Sequence, residues 1–264
     1  MSDLLNEQIT GILIQDFLNP TEIASLLNGF RKLPLSEKTV INEGFVSYPL
    51  SFAQFTQMKA AGTVTIDGYI EIAQKLKERQ TDLFGLNITE RLCLFLQMFK
   101  EFQHVSPIIH PETAQALVPF NIRELLPGQG ELIAHCENLF FEEFPSFFSW
   151  LQLMNIKENK LSYFITLQAA EEGGELCCFD LNWNDVKKRE NPILLRDELN
   201  NAIDLEDKNS VRRTFIKPKA GDLLLFAGGN VWHRVEKIKG TQSRITLGGF
   251  VAETTAPGKY YIWS

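Results

Sequence analysis

Hydrophobic and polar positions divide the chain into two differently patterned halves. Near the N-terminus the run Ile12 to Phe17 is apolar with some alternation, and Asn19, Pro20 and Glu22 follow it. Asn19 suits a helix cap, Pro20 the first helical position, and Glu22 completes a capping box, so the segment predicts strand, turn, helix. A second helix is expected over 68–79. A third, TERLCLFLQMFKEFQ, is apolar nearly all round, which predicts a buried helix. From about residue 115 the pattern changes to short apolar runs separated by Gly and Pro: GELIAH, LSYFITLQ, GELCCFDL, TFIKP, GDLLLFAG, HRVEKI, RITLGGFVAE and KYYIWS. Such spacing predicts a closed β structure, a sandwich or barrel. The charged stretch 184–213 interrupts it and reads as a partly helical insertion between two strands. It fits equally a solvated surface excursion or a lid over the barrel mouth. No repeat or low-complexity linker divides the chain, so one domain over 1–264 is expected: supporting elements in 1–114, the β core in 115–264.

Composition narrows the function classes. A chain of 264 residues with 44% hydrophobic and 22% charged content has enough apolar material for a sizeable core. A net charge of −7 disfavours nucleic-acid binding, which needs a basic surface. No apolar run approaches the ~18 residues of a membrane span. The N-terminus lacks a basic n-region and a cleavage site, which predicts no secretory signal. Cys93, Cys136, Cys177 and Cys178 form no CxxC pair, consistent with a reducing cytoplasm and thiols that fill the core.

The chemistry rests on a few residues. His135 and Glu137 lie two apart in a strand-like run, so their side chains converge on one face. His233, from another strand, is the natural third member. Two histidines and a carboxylate on one face, with other positions open, form the facial triad of non-haem iron(II) oxygenases. Singly, each histidine reads as an ordinary hydrogen-bonded side chain; the combination points to metal. His110 and Glu112 repeat the spacing, but Pro111 between them opposes strand pairing. His104, at the end of the third helix, reads as structural.

Arg244 follows His233 by eleven residues, on the next strand-like run and in apolar surroundings. A buried arginine needs an anion. Oxygenases that use 2-oxoglutarate chelate iron with its C1 carboxylate and keto oxygen, and the C5 carboxylate then needs a fixed cation. An arginine fork meets that need. Thr246 shares the face of Arg244. Rival readings are a cupin-like metal- or sugar-binding module without turnover and, more weakly, a zinc hydrolase.

The motifs HCE, GGEL, KPKAGDLLLFAGGNVWH and SRITLGGF, in that order, resemble the 2-oxoglutarate/iron(II) dioxygenases of the prolyl-4-hydroxylase-like type. Within that type, IRELLPGQGELIAHCEN, LSYFITLQAAEEGGELCCFDLNW and the terminal YYIWS look most like a smaller group. It contains the carrier-independent welwitindolinone-type halogenases and hydroxylases of N-substituted amino acids. The resemblance covers about 115–264 well and the first 110 residues in outline. It implies a mainly β fold with helical support around a double-stranded β-helix (jelly-roll, cupin-like) core. It further implies His135, Glu137 and His233 as iron ligands, Arg244 as the 2-oxoglutarate anchor, and Thr166 and Thr246 as helpers in the co-substrate pocket. The GGEL glycines read as turn and packing residues. Arg123, on the strand before His135, reads either as a pocket residue or as half of a surface ion pair.

The sequence departs from the family pattern at Glu137: the hydroxylases usually carry Asp there and the halogenases Gly or Ala, while some members of the wider superfamily use Glu, which still supplies an oxygen ligand. The expected activity is hydroxylation of an unactivated C–H bond, with desaturation the alternative outcome. The expected cofactors are Fe(II), 2-oxoglutarate and O2, with ascorbate as an optional reductant. The expected substrate is a free small molecule, with no nucleic-acid or membrane partner, in a cytoplasmic monomer or homodimer.

Overall fold

The computed structural model describes residues 1–111, 113–139, 145–191 and 193–264, with the side chains of 145–148 and 158–159 left aside. Its helices are α1 (Ser2–Leu5), α2 (Pro20–Lys32), α3 (Phe52–Ala60), α4 (Ile66–Phe84), α5 (Ile88–Leu96) and α6 (Pro145–Leu153). The first strands are β1 (Gly11–Ile14), β2 (Thr39–Asn42), β3 (Phe45–Tyr48), β4 (His104–Pro107), β5 (Asn121–Leu125), β6 (Leu132–His135), β7 (Ile156–Gln168) and β8 (Leu176–Asn182). After them come β9 (Lys188–Arg189), β10 (Leu194–Arg196), β11 (Ala202–Asp204), β12 (Arg213–Ile216), β13 (Leu223–Phe226), β14 (Val231–Val235), β15 (Arg244–Thr254) and β16 (Lys259–Trp263).

The first helical turn forms as the sequence predicts. Asn19 Oδ1 accepts from the Glu22 amide at 3.0 Å, and Glu22 Oε2 accepts from the Asn19 amide at 2.9 Å. These bonds satisfy donors that the helix itself leaves unpaired. Arg91 of α5 then ion-pairs with Glu22 and donates to the Phe17 carbonyl, tying α5 to the start of α2. The second predicted helix exists but runs over Ile66–Phe84, and α3 precedes it unpredicted. The third stops at Leu96, so His104 opens strand β4 instead of ending a helix.

Among the described residues, a nine-stranded sheet holds the order β1-β13-β7-β15-β5-β3-β2, with β16 added beside β15 and β4 beside β16. A four-stranded sheet has the order β12-β8-β14-β6. The two sheets face each other as a jelly roll, and one cavity between them is lined from both. Ile165, Leu167, Ile245 and Leu247 of the large sheet share a hydrophobic cluster with Leu26 and Phe30 of α2 and Leu76 and Phe84 of α4. The helices therefore brace the wall that carries Arg244.

The insertion departs from expectation. Among its described residues 184–213 there is no α-helix; β9, β10 and β11 form a three-stranded antiparallel sheet. The reason lies in its Asx residues. Asn191 accepts from the amides of Ile193 and Leu194, Asp197 from those of Leu199 and Asn201, and Asp204 from that of Glu206. Such local bonds compete with helix and favour turns. The apolar residues Val186, Leu195, Leu205 and Val211 pack with Phe179, Leu181 and Trp232 in a second hydrophobic cluster. Trp232 alternates with His233 along β14, so this cluster covers the back of the four-stranded sheet. No described residue of 184–213 lines the cavity between the sheets; the segment packs on the back of the four-stranded sheet instead.

Candidate metal centre and anion pocket

Strands β6 and β14 are antiparallel neighbours, and their register sets His135 directly opposite His233. The two imidazole centroids lie 4.4 Å apart. Each ring contacts the carbonyl two residues before it: His135 Nδ1 to Ile133 O at 2.6 Å, His233 Nδ1 to Val231 O at 2.8 Å. A carbonyl only accepts, so Nδ1 carries a proton in both rings, and Nε2 is the nitrogen left for a metal. Burial, then the neighbouring His233, lowers the pKa of His135 to about 4, leaving a neutral imidazole, the form that ligates metal.

Glu137 stands just past the end of β6. Its amide donates to Gly228 O at 3.1 Å, and the Asn138 amide donates to Gly229 O at 3.1 Å, which pins the turn at 137–138 against the FAGG turn. Glu137 Oε1 accepts from Ser162 Oγ at 2.7 Å and lies 3.6 Å from His233 Nε2. Glu137 Oε2 is fully buried with no hydrogen-bond partner. An orphaned carboxylate oxygen is costly unless a ligand completes it. Gly228 makes the space: a Cβ there would stand 2.2 Å from Ser162 Oγ and 2.7 Å from Glu137 Oε2.

One donor atom from each of His135, Glu137 and His233 lies within 4.8 Å of the others, and no other such group exists among the described residues. Two imidazole nitrogens, one carboxylate and an unsatisfied buried oxygen fit a divalent first-row metal. His110 lies elsewhere: it is buried, its ring is 5.0 Å from that of Trp150, and its Nδ1 accepts from the Thr113 amide at 3.3 Å. Its proposed partner Glu112 lies outside the described residues.

The opposite wall supplies cations. Arg244 is buried, with its guanidinium 4.9 Å from the Phe164 ring centroid. Gly174, the second glycine of GGEL, packs against it: a Cβ there would come 3.1 Å from Arg244 Cδ. Both GGEL glycines adopt positive φ, of 70° and 71°, a turn conformation that suits Gly. Burial, then the nearby Arg123, lowers the pKa of Arg244 to about 10. The group stays charged, and among the described residues it forms no ion pair with a carboxylate. Thr246 lines the same cavity, and Thr166 lies in an adjoining recess shared with Arg244, its hydroxyl buried and unpartnered. Arg123 faces the cavity and is no surface ion pair: Nε donates to Asn121 Oδ1 at 2.9 Å.

The residues named from sequence thus meet in one cavity or its adjoining recess, but Ser162, Phe164, Phe226 and Gly228 were not named. The signal for Ser162 and Phe164 was present, because residues 162, 164 and 166 share one face of β7 by strand periodicity. Nothing local marked Gly228. The four cysteines are buried and unpaired, and burial pushes Cys93 and Cys177 up to about 11 and Cys136 and Cys178 up to about 12. They are inert fillers. No helix among the described residues is long and apolar enough to cross a membrane.

The chain is similar along its whole length to a known protein family. The family model described as carrier-protein-independent halogenase WelO5 matches residues 1–264. A solved N-substituted L-amino acid dioxygenase from Burkholderia ambifaria AMMD, in complex with alpha-KG, is 16% identical with a TM-score of 0.59. The match covers 100% of this chain and 89% of that one. The non-heme alpha ketoglutarate dependent carbocyclase SnoK from nogalamycin biosynthesis is 12% identical with a TM-score of 0.50, covering 96% of this chain and 84% of that one. At such identities these structures establish the fold. No curated protein matches the chain.

Proposed function

The chain belongs to the carrier-protein-independent halogenase WelO5 family, within the Fe(II)/2-oxoglutarate-dependent oxygenases, and from that premise we propose that it hydroxylates an unactivated C–H bond of a small molecule. The observation that carries the reading is the pairing, in one cavity, of the His135–Glu137–His233 cluster with a buried Arg244 that has no carboxylate partner. A metal-binding module without turnover has no use for that cation.

In this reading His135, Glu137 and His233 hold iron. Bound iron, with 2-oxoglutarate and dioxygen, supplies the oxidising power, releasing succinate and carbon dioxide. The protein's own work is placement. The Nδ1–carbonyl contacts keep each Nε2 aimed inward. Ser162 fixes one oxygen of Glu137. Arg244 takes the C5 carboxylate of 2-oxoglutarate in its fork, with Thr246 and Thr166 beside it. The flanking Phe164 and Phe226 keep the cavity dry, which strengthens each of these interactions. The substrate class is an amino-acid derivative or natural-product intermediate; the solved relative named for N-substituted L-amino acids supports the former.

The family's description favours a second reading, halogenation. Glu137 opposes it. A carboxylate there occupies the position a halide needs and adds negative charge, and Gly228 and Ser162 are shaped around it. The test is a screen of N-substituted amino acids with Fe(II), ascorbate and 2-oxoglutarate, run in chloride and again in bromide. Succinate release with product mass gain of one oxygen is expected; loss of two hydrogens would mean desaturation. A halogen isotope pattern from the unmodified protein would sink the assignment of Glu137.

A further inference from the structure

We propose that Arg123 is the recognition residue for a carboxylate on the substrate, so that the enzyme takes an organic monoanion with an apolar body. This rests on the oxygenase reading above and names its substrate class.

Arg123 sits on β5, opposite Thr246 on one side and Ser47 of β3 on the other. Along β15, Arg244 marks one end of the site, Thr246 comes next, and Phe250 pairs with Ser162, the residue that holds Glu137. Arg123 therefore stands between the Arg244 level and the Glu137 level, one strand to the side. The electrostatics agree: Arg123 feels Glu137, whereas the groups that act on Arg244 are Arg123 and Glu175. Arg123 has one hydrogen bond, to a neutral amide, and no ion pair among the described residues.

The charge count of the filled site is the second observation. The cavity is lined by two guanidiniums and one carboxylate. A divalent metal adds two positive charges and 2-oxoglutarate two negative ones. One net positive charge is left over in a buried cavity. An uncompensated buried charge is costly, so a further anion is expected. Both carboxylates of 2-oxoglutarate have partners, one at the metal and one at Arg244. Arg123 is the cation left over. Phe45, Leu125, Leu132 and Phe250 line the cavity around it, which matches an apolar body beside the charge.

The test loads the protein with Mn(II), which fills the metal position without turnover, and with saturating 2-oxoglutarate. It is then titrated by calorimetry with N-acetyl-leucine, N-acetyl-valine and N-acetyl-phenylalanine, each against its own carboxamide. At least one acid is expected to bind more tightly than its amide by roughly 30-fold or more, the effect of removing one partner of a desolvated charge pair. In Arg123→Met that preference falls to below about threefold, while the 2-oxoglutarate constant stays within about twofold. Arg123→Lys restores part of the preference. Three results overturn the proposal: acids and amides bind alike, no acid binds, or Arg123→Met weakens 2-oxoglutarate as Arg244→Leu does. Should Arg123→Met not fold, as judged by circular dichroism, the acid–amide pairs on the unmodified protein decide alone. If Mn(II) and 2-oxoglutarate themselves do not bind, the oxygenase reading falls with this one; if they bind and acids gain nothing, only this one falls.

Discussion

The two walls of the cavity are built on opposite principles. On the four-stranded wall each functional group is already held by a protein partner: two imidazoles by their own backbone carbonyls, Glu137 by Ser162 reaching across from β7. On the nine-stranded wall the guanidiniums of Arg123 and Arg244 face the cavity with no carboxylate ion pair among the described residues, and burial, then the nearby Arg123, lowers the pKa of Arg244. The first wall is preorganised for a metal, so little ordering remains when it binds. The second keeps electrostatic potential in reserve for anions, because burying a cation without a partner is unfavourable until a ligand arrives. The walls should therefore fail differently. The largest effect belongs to the metal wall: His135→Ala or His233→Ala should abolish metal retention, measured by elemental analysis of anaerobically purified protein. His110→Ala should leave it intact. Retention in both site variants together with loss in His110→Ala would reverse the choice of histidine.

The cation wall comes next. Arg244→Leu leaves the C5 carboxylate of 2-oxoglutarate without its partner, which costs roughly 2–5 kcal/mol, or about 30- to 5000-fold in affinity. Metal content should not change. Titration of the Mn(II) protein with 2-oxoglutarate measures both sides of the comparison, and an unchanged constant would remove Arg244 from the site. Ser162, whose hydroxyl joins the walls through Glu137, is predicted to have an intermediate effect. Ser162→Ala frees Glu137 Oε1 and should weaken Mn(II) binding by about 10- to 100-fold, with the melting temperature held. Full metal affinity in that variant would show that Glu137 needs no support from β7.

The walls also differ in how far the sequence discloses them. The candidate metal wall was legible because its signals are local: an imidazole and a carboxylate two apart at the end of a strand, and the chemistry of a third ligand. Arg244 was legible because an arginine in an apolar strand demands a counter-charge. The capping box at Asn19 and the strand succession after residue 115 were equally local. Gly228 escaped because its constraint is a through-space collision with Ser162 and Glu137, residues far away in sequence. Arg123 stayed ambiguous because burial decides between pocket and surface, and burial depends on the β5–β15 pairing. The insertion misled because charge-rich composition suggested helix, whereas its Asn and Asp residues act through the turns they cap.

The smallest predicted effect concerns that insertion, and it tests whether the back of the metal wall is as separate from the cavity as the structure has it. Leu195, Leu205 and Val211 cover Trp232 and Phe179 on the face opposite His233. Leu195 is fully buried, so Leu195→Ala should cost stability of roughly 2–5 kcal/mol through the cavity it leaves. The folded protein should still bind 2-oxoglutarate within about twofold of the parent, because the lost packing lies behind β14 and not in front of it. A lid behaves in the opposite way: it closes over ligand, and ligand protects it from protease. Cleavage within 184–213 should therefore proceed at the same rate, within about twofold, with and without Mn(II), 2-oxoglutarate and an N-acyl amino acid. Strong protection on adding all three would show that the segment reaches the mouth of the cavity after all, and the separation of front from back would fail.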